Sequence, residues 1–161
     1  MIDKLISGAQ TGADRAALDV ALELGISCGG WVPKGRLAED GIIPAHYPCL
    51  IETPDSAVEM RTEWNIRDSD ATLILSHGPL DGGSLYTRIK AAELGKPWLH
   101  IDFLKTGPEQ APEKARSWLE TVRPQALNIA GPRASKDPHI YDATARFLRK
   151  LLKQPMQNVT Y

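Results

Sequence analysis

The sequence predicts an α/β fold, a doubly wound, Rossmann-like domain with a mainly parallel sheet of about six strands and helices on both faces. Helical patterns separate most of the strand-length apolar runs. The fourth run, residues 71–75, is uninterrupted by charge, which is typical of a parallel strand covered on both faces. The predicted strands span residues 3–7, 27–32, 49–53, 71–75, 98–102 and 126–130.

Helices are predicted where apolar residues recur at helical spacing and glycine or proline closes the segment. Gly25 and Gly95 follow two of these segments, and Pro124 and Pro155 follow two others. Ser56 with Glu59 has the pattern of a capping box, which predicts that a helix begins there. The predicted helices span residues 13–24, 56–67, 84–94, 111–122 and 139–153.

The 161 residues fit one domain, which we assign to residues 1–153, followed by a C-terminal tail at 154–161. The segment 33–48 has neither the helical nor the strand period and is rich in proline and glycine. Because long irregular segments in compact domains are often functional, we expect a functional loop there.

Nineteen basic and twenty acidic residues give a net charge of -1, so neither nucleic acid nor a membrane surface is an expected partner. Cys28 and Cys49 lack metal-ligand spacing, and the four histidines are scattered, so no protein-ligated metal is expected. The chain shows neither a signal peptide nor an apolar run of membrane-spanning length, which favours the cytoplasm. Because the net charge is close to zero, any anion site must be formed by a local group of residues.

Two glycine turns, at residues 8–15 and 76–84, each join a predicted strand to a helix start, where unpaired N–H groups favour anions. In a sheet of order 3-2-1-4-5-6, strands 1 and 4 are neighbours, so both turns would flank one crevice. The backbone N–H groups of residues 10–14 and 82–85 are the expected donors. Neither turn matches the dinucleotide fingerprint or the P-loop, which disfavours those two kinds of site.

Charged and polar side chains beside these turns complete the predicted site. Arg61 and Asn65 share a helix face, with Trp64 beside them, while Lys34, Arg36 and Arg133 could form an anion lid. Each of these residues taken singly is more often a surface group. His77 lies in the second glycine turn, where the favoured interpretation is a histidine that only hydrogen-bonds the backbone. The predicted ligand-binding residues are Gly8, Gln10, Thr11, Gly12, Asp14, Arg15, Arg61, Asn65, Asp81, Gly82, Gly83, Ser84, Thr87, Gly131 and Arg133.

Taken together, residues 8–17, 61–74 and 128–133 resemble the molybdenum carrier family, over nearly the whole chain. That family belongs to the wider lysine-decarboxylase-like, or SLOG, Rossmann superfamily. The resemblance implies nucleotide-derived or pterin ligands at the glycine turns, and often a homo-oligomer, here a dimer or tetramer. The ligand it suggests is the molybdenum cofactor, or otherwise a nucleotide-like phosphate compound.

The same superfamily includes phosphoribohydrolases that cut nucleoside monophosphates with an Arg and a Glu beside a Pro-Gly-Gly-x-Gly-Thr loop. Here residues 81–88 lack the leading proline and the third glycine, and the nearest glutamate is Glu93. This difference favours a carrier without catalysis. The alternatives are a nucleotide-processing hydrolase that uses Asp14, Asp81 or Glu93, and a module that senses a nucleotide derivative. Trp64, Trp98 and Trp118 are candidate anchors for self-association.

Overall fold

The structure is a computed structural model that describes residues 2–153, so the predicted tail at 154–161 lies outside the described residues. Strands and helices alternate along the chain. They are β1 (Lys4–Ile6), α1 (Ala13–Leu24), β2 (Ser27–Val32), β3 (Leu37–Ala38), β4 (Gly41–Ile42), β5 (Leu50–Glu52), α2 (Val58–Arg67), β6 (Ala71–Ser76), α3 (Gly82–Glu93), β7 (Trp98–Asp102), α4 (Gln110–Val122), β8 (Ala126–Ala130) and α5 (Ile140–Leu152).

Six of these strands form one parallel sheet, in the order β5-β2-β1-β8-β6-β7. The helices pack on it in two groups, α1 with α5 and α4, and α2 with α3. The doubly wound Rossmann-like class predicted from the sequence is confirmed.

The predicted order 3-2-1-4-5-6 is wrong, because β8, the sixth predicted strand, lies between β1 and β6. Leu127 and Ile129 of β8 are almost completely buried, as in a central strand with a neighbour on each side. The consequence is local. The segment after β8, residues 131–133, enters the middle of the crevice between the two glycine turns.

The capping box predicted at Ser56 is also wrong. Helix α2 begins at Val58, and its first flanking residue, Ala57, donates its backbone N–H to Asp55 Oδ1 over 2.7 Å. The Asp55 carboxylate therefore organises the turn before the helix, and no side chain caps the N-terminus.

The segment 33–48 contains a short antiparallel hairpin, β3–β4, whose tip contacts the first glycine turn. Arg15 donates to the Asp40 carboxylate over 2.7 Å, and Glu39 N donates to Gln10 Oε1 over 3.0 Å. Arg36 donates to the Pro44 carbonyl over 3.0 Å. Arg36 thus fastens the hairpin instead of serving as a lid cation.

The three tryptophans predicted as interface anchors occupy different environments. Trp64 stacks edge-on against Trp31 with centroids 4.7 Å apart, and Trp118 packs against the core. Trp98, 39% exposed, has the most accessible surface of the three. Self-association stays a prediction.

Gly131 fixes how closely the loop after β8 approaches its neighbours. A Cβ at this position would lie 2.5 Å from the Leu75 carbonyl oxygen and 2.6 Å from Ala13 Cβ. At Gly83, on α3, a Cβ would meet nothing within 4 Å. Close packing therefore requires glycine at position 131 but not at position 83.

We therefore expect Gly131→Ala to lower the free energy of unfolding by about 1–3 kcal/mol, since an inserted methyl must displace backbone. Gly83→Ala is the matched control and should be neutral or slightly stabilising, because alanine favours the helix. Urea unfolding of both variants tests this difference. Equal losses in the two variants would contradict the packing argument.

Candidate functional site

A cleft of about 440 Å³ opens at the carboxyl ends of β1, β8 and β6, between the two glycine turns. This is the edge at which ligands bind open parallel sheets. Of the fifteen residues predicted as ligand-binding, twelve line it, namely Gly8, Gln10, Asp14, Arg61, Asn65, Asp81, Gly82, Gly83, Ser84, Thr87, Gly131 and Arg133.

Thr11, Gly12 and Arg15, the other three, hold the first glycine turn in place instead of lining the cleft. Thr11 Oγ1 accepts from Ala134 N over 3.1 Å, and Arg15 Nε donates to the Ala9 carbonyl over 3.1 Å. Gly12 has φ +84, and a Cβ there would lie 2.4 Å from the Pro132 carbonyl oxygen. The contacts of these three residues join the first glycine turn to the loop after β8 and to the hairpin.

Arg61 reaches from α2 across the sheet edge and is 9% exposed. One terminal guanidinium nitrogen donates to the Gly8 carbonyl oxygen over 2.8 Å, and the same nitrogen lies 3.9 Å from Asp14 Oδ2. The buried Nε of Arg61 has no hydrogen-bond partner within residues 2–153. Burial lowers the pKa of Arg61 from its usual value, but arginine remains a cation at any physiological pH.

Asp14 lies in the first turn of α1 and faces Arg61 at the base of the cleft. Its Oδ2 accepts from Gln10 N over 3.3 Å. Burial raises the pKa of Asp14 to about 6, although Arg61 and the Gln10 N–H act in the opposite direction. The cleft therefore contains a carboxyl group that changes charge close to neutral pH.

The two helix starts differ in the backbone donors that they offer. At α1, Gln10 N donates to Asp14, Thr11 N to Gln10 Oε1 and Ala13 N to the Pro132 carbonyl, so these three N–H groups already have acceptors.

At α3 the flanking residue, Asp81, makes no side-chain cap, and Leu85 N donates to the Asp81 carbonyl as the helix begins. The first-turn N–H groups of Gly82, Gly83 and Ser84 precede that bond and border the cleft. In this second glycine turn, Gly78 with φ +92 and Gly82 with φ +47 have positive φ values, and Gly83 does not. The start of α3 is thus the better anion donor of the two.

Asn65 lines the cleft, but its amide is already bonded on both sides to Trp31. Its Oδ1 accepts from Trp31 N over 2.7 Å and its Nδ2 donates to the Trp31 carbonyl over 3.0 Å. Asn65 therefore anchors α2 to β2, and in this way it positions Arg61 one turn earlier on the same helix.

The rim carries two further cations, each beside a carboxylate. Arg133 Nε lies 3.4 Å from Glu39 Oε2, and Lys136 Nζ lies 3.2 Å from Asp81 Oδ1. Exposed pairs of this kind contribute little and rearrange easily. Of the predicted lid cations Lys34, Arg36 and Arg133, the last alone lines the cleft.

Sequence reasoning missed several residues that line the cleft. Val58, Glu59 and Thr62 lie near Arg61 on α2, and the helical period could have indicated them. Residues 128–130 end β8, so the strand-end rule could have included them. Lys136 comes from an irregular loop and had no signal in the sequence. His77, which the sequence singled out, lies outside the cleft and bonds Asp137 Oδ2 through Nδ1 at 2.6 Å.

Residues 2–153 contain neither a cluster of metal-ligating side chains nor a membrane-spanning helix. No group of three or more histidine, cysteine or acidic side chains is placed to hold a metal ion there. The same part of the chain contains no helix long and apolar enough to cross a membrane.

A parallel sheet with a cleft at its strand ends, bordered by glycine turns, defines a Rossmann-like ligand-binding domain. The chain belongs to the circularly permutated YpsA SLOG family, whose model matches residues 5–152. When the sheet is traced from β8, strands β1, β2 and β5 follow in order on one side and β6 and β7 on the other. A circular permutation moves the ends of the chain but leaves the neighbours of each strand unchanged, so a strand order of this kind is consistent with one.

A solved structure is similar over nearly the full chain. It is the crystal structure of a protein described as "Putative molybdenum carrier protein" from Syntrophus aciditrophicus SB, with 54% sequence identity and a TM-score of 0.93. The similarity covers 94% of this chain and 96% of that chain. No curated protein matches the sequence.

The pKa of Asp14 yields a prediction for anion binding. As the pH falls through about 6, Asp14 takes up a proton and its negative charge disappears, so an anion beside Arg61 should bind more tightly. Sulfate keeps its charge over this range and is a suitable probe. We expect its affinity to rise several-fold between pH 7.5 and 5, measured by calorimetry.

Asp14→Asn should remove this dependence and bind sulfate at pH 7.5 as the unmodified protein does at pH 5. Asp142→Asn, at an exposed position on α5, is the control and should keep the slope. A slope unchanged in Asp14→Asn would show that another group titrates.

Proposed function

We propose that the cleft binds an anionic, phosphate-bearing small molecule and that the protein carries this molecule in the cytoplasm. The first candidate is the molybdenum cofactor, a pterin phosphate that holds the metal. The observation that carries the proposal is Arg61, a buried guanidinium beside the cleft with one hydrogen bond to protein and a carboxylate 3.9 Å away. A buried cation that is so incompletely paired favours an anionic ligand.

Charge alone does not select the cleft for anions, because its three cations and three carboxylates balance. The cations are Arg61, Arg133 and Lys136; the carboxylates are Asp14, Glu59 and Asp81. Their arrangement supports the proposal, since Arg61 is buried whereas Asp81, 78% exposed, extends towards water. The uncapped start of α3 adds backbone donors to the same cleft.

The side chains that line the cleft indicate the chemistry of the rest of the ligand. Glu59 and Thr62 offer acceptors from α2, and Tyr86 offers an aromatic ring from α3. A heterocycle with amino groups, such as a pterin or a purine, suits such a wall because it both donates hydrogen bonds and stacks. The similar protein from Syntrophus aciditrophicus SB is described as a molybdenum carrier, which supports a cargo that contains molybdenum. The metal would be held by the cargo itself, since neither cysteine nor histidine lines the cleft among residues 2–153.

Replacing Arg61 by methionine tests the anion site. Arg61→Met keeps most of the side-chain volume and removes the charge, so GMP, used as a phosphate-bearing probe, should bind about ten- to a hundredfold more weakly. Arg67→Met, on the same helix but exposed and paired with Asp68, is the control and should bind normally. Calorimetry gives both affinities.

Thermal unfolding of the two variants separates binding from stability. If Arg61→Met melts at a lower temperature while its affinity for GMP is unchanged, the guanidinium is structural and the proposal fails.

A hydrolase acting on nucleoside monophosphates is the second candidate, and Asp14 is the observation that favours it. A carboxyl group with a pKa of about 6 can give or take a proton at physiological pH. Against it, the first turn of α3 after Ser84 has no carboxylate, and Glu93 pairs with Lys90 outside the cleft. Helix α3 itself contributes no acidic side chain to the cleft, and Asp81, which does line it, precedes the helix.

We therefore expect no base release at an enzyme-like rate from AMP, GMP, CMP or UMP, followed by chromatography. Release that disappears in Asp14→Asn or Asp81→Asn, and persists in the control Asp142→Asn, would favour the hydrolase over the carrier.

A further inference from the structure

Helix α3 separates the cleft from a second pocket of about 360 Å³. Gly83 and Thr87 of α3 line the cleft, whereas Leu85 and Arg88 line the second pocket. Its other walls come from the loop after β6, from the end of β7 with the loop that follows it, and from α4. The pocket is therefore built from four separate parts of the chain.

Three cations from three of these parts line the pocket, Arg88 from α3, Lys105 from the loop after β7 and Lys114 from α4. Within residues 2–153, none of the three lies at ion-pair distance from a carboxylate, whereas Lys90, Lys136 and Lys150 each have such a partner. Unpaired like charges in one pocket repel each other. The pocket is thus a local concentration of positive charge in a chain of net charge -1.

Asp102, the one carboxylate among the lining residues, is already bonded to protein. Its Oδ1 accepts from Gly78 N over 2.7 Å and from Leu104 N over 2.9 Å. Although burial alone would raise the pKa of Asp102, these two N–H groups hold it below its usual value. Asp102 thus fixes the loops after β6 and β7, and its charge attracts Lys105. The three cations that line the pocket outnumber this carboxylate, which forms no ion pair with any of them within residues 2–153.

His100 lines the same pocket as the three cations. The Ser76 hydroxyl donates to the Gly78 carbonyl over 2.7 Å, so it accepts from His100 Nε2–H, also at 2.7 Å. Burial lowers the pKa of His100, and the fields of Arg88, Lys114 and Lys105 lower it further, against Asp102. The imidazole is held in one orientation, neutral, within the field of all three cations.

We propose that this pocket is a second anion-binding site, which takes the phosphate group of a small molecule between Arg88, Lys105 and Lys114. A bound phosphate would remove the repulsion among the three cations and gain charge-assisted hydrogen bonds from them. Pro79, Leu80 and Leu85 form an apolar wall beside the cations. The ligand class is therefore a phosphate monoester or diphosphate with an apolar portion that packs on this wall.

A titration with inorganic pyrophosphate at constant ionic strength, followed by amide chemical shifts, tests the site in the full chain. We expect saturable shifts for the amides of Gly78, Leu80 and residues 104–106, together with the ring signals of His100. The double variant Lys105→Gln/Lys114→Gln should weaken this binding at least tenfold. The matched control, Lys34→Gln/Lys153→Gln, removes two exposed lysines elsewhere and should leave it unchanged.

Shifts at these residues that never saturate, or that fall equally in the two double variants, would show general ionic attraction and overturn the site. Saturable shifts confined to the amides of residues 82–84, Gly131 and Arg133 would overturn it as well, because they report the cleft alone. The cleft and the second pocket are read separately in one titration, so failure of one is distinguishable from failure of the other.

Discussion

The contact between the Arg61 guanidinium and the backbone of Gly8 is the interaction on which the site depends. The hydrogen bond to the Gly8 carbonyl is 2.8 Å long, and a Cβ on Gly8 would lie 2.4 Å from the same guanidinium nitrogen. Gly8 is therefore required by the arginine that covers it. Burying this cation costs solvation that the 3.9 Å approach of Asp14 recovers only in part, which leaves the cleft adapted to a negative ligand.

The position of β8 in the sheet determines which groups surround the contact between Arg61 and Gly8. Because β8 lies between β1 and β6, its following loop crosses the start of α1, where the Pro132 carbonyl accepts from Ala13 N. This carbonyl therefore occupies Ala13 N, one of the backbone donors that the sequence predicted for an anion at α1. It leaves α3, which begins after β6, as the helix whose first turn is available. A permuted strand order thus decides which of the two glycine turns can serve the ligand.

The sequence predicted most elements of the fold and most of the cleft because those features are local. Apolar runs locate the buried strands, and the strand-end rule placed the glycine turns at one edge. The strand order could not be predicted in this way, because nothing in the sequence of residues 126–130 shows between which strands they insert. The capping box failed for a related reason. Ser56 had the right spacing, but the Asp55 carboxylate, one residue earlier, bonds the turn first.

Within the site, the sequence could place Arg61 and Asn65 on one helix face but could not assign their partners. The bonds of Asn65 to Trp31 span 34 residues, and the contact of Arg61 with Gly8 spans 53. Both depend on how α2 lies across the sheet. Glu39 joins the hairpin to Ser135 across 96 residues, a contact that no spacing rule describes.

The central claim, that the cleft around Arg61 holds a phosphate-bearing molecule, is tested most directly by identifying what the protein carries. Small molecules released from protein purified from its native host would be measured by mass spectrometry, alongside the Arg61→Met variant expressed and purified in the same way. We expect about one phosphate-bearing molecule per chain in the unmodified protein and its loss in the variant. A neutral compound, or equal amounts of the same phosphate compound in both proteins, would contradict it.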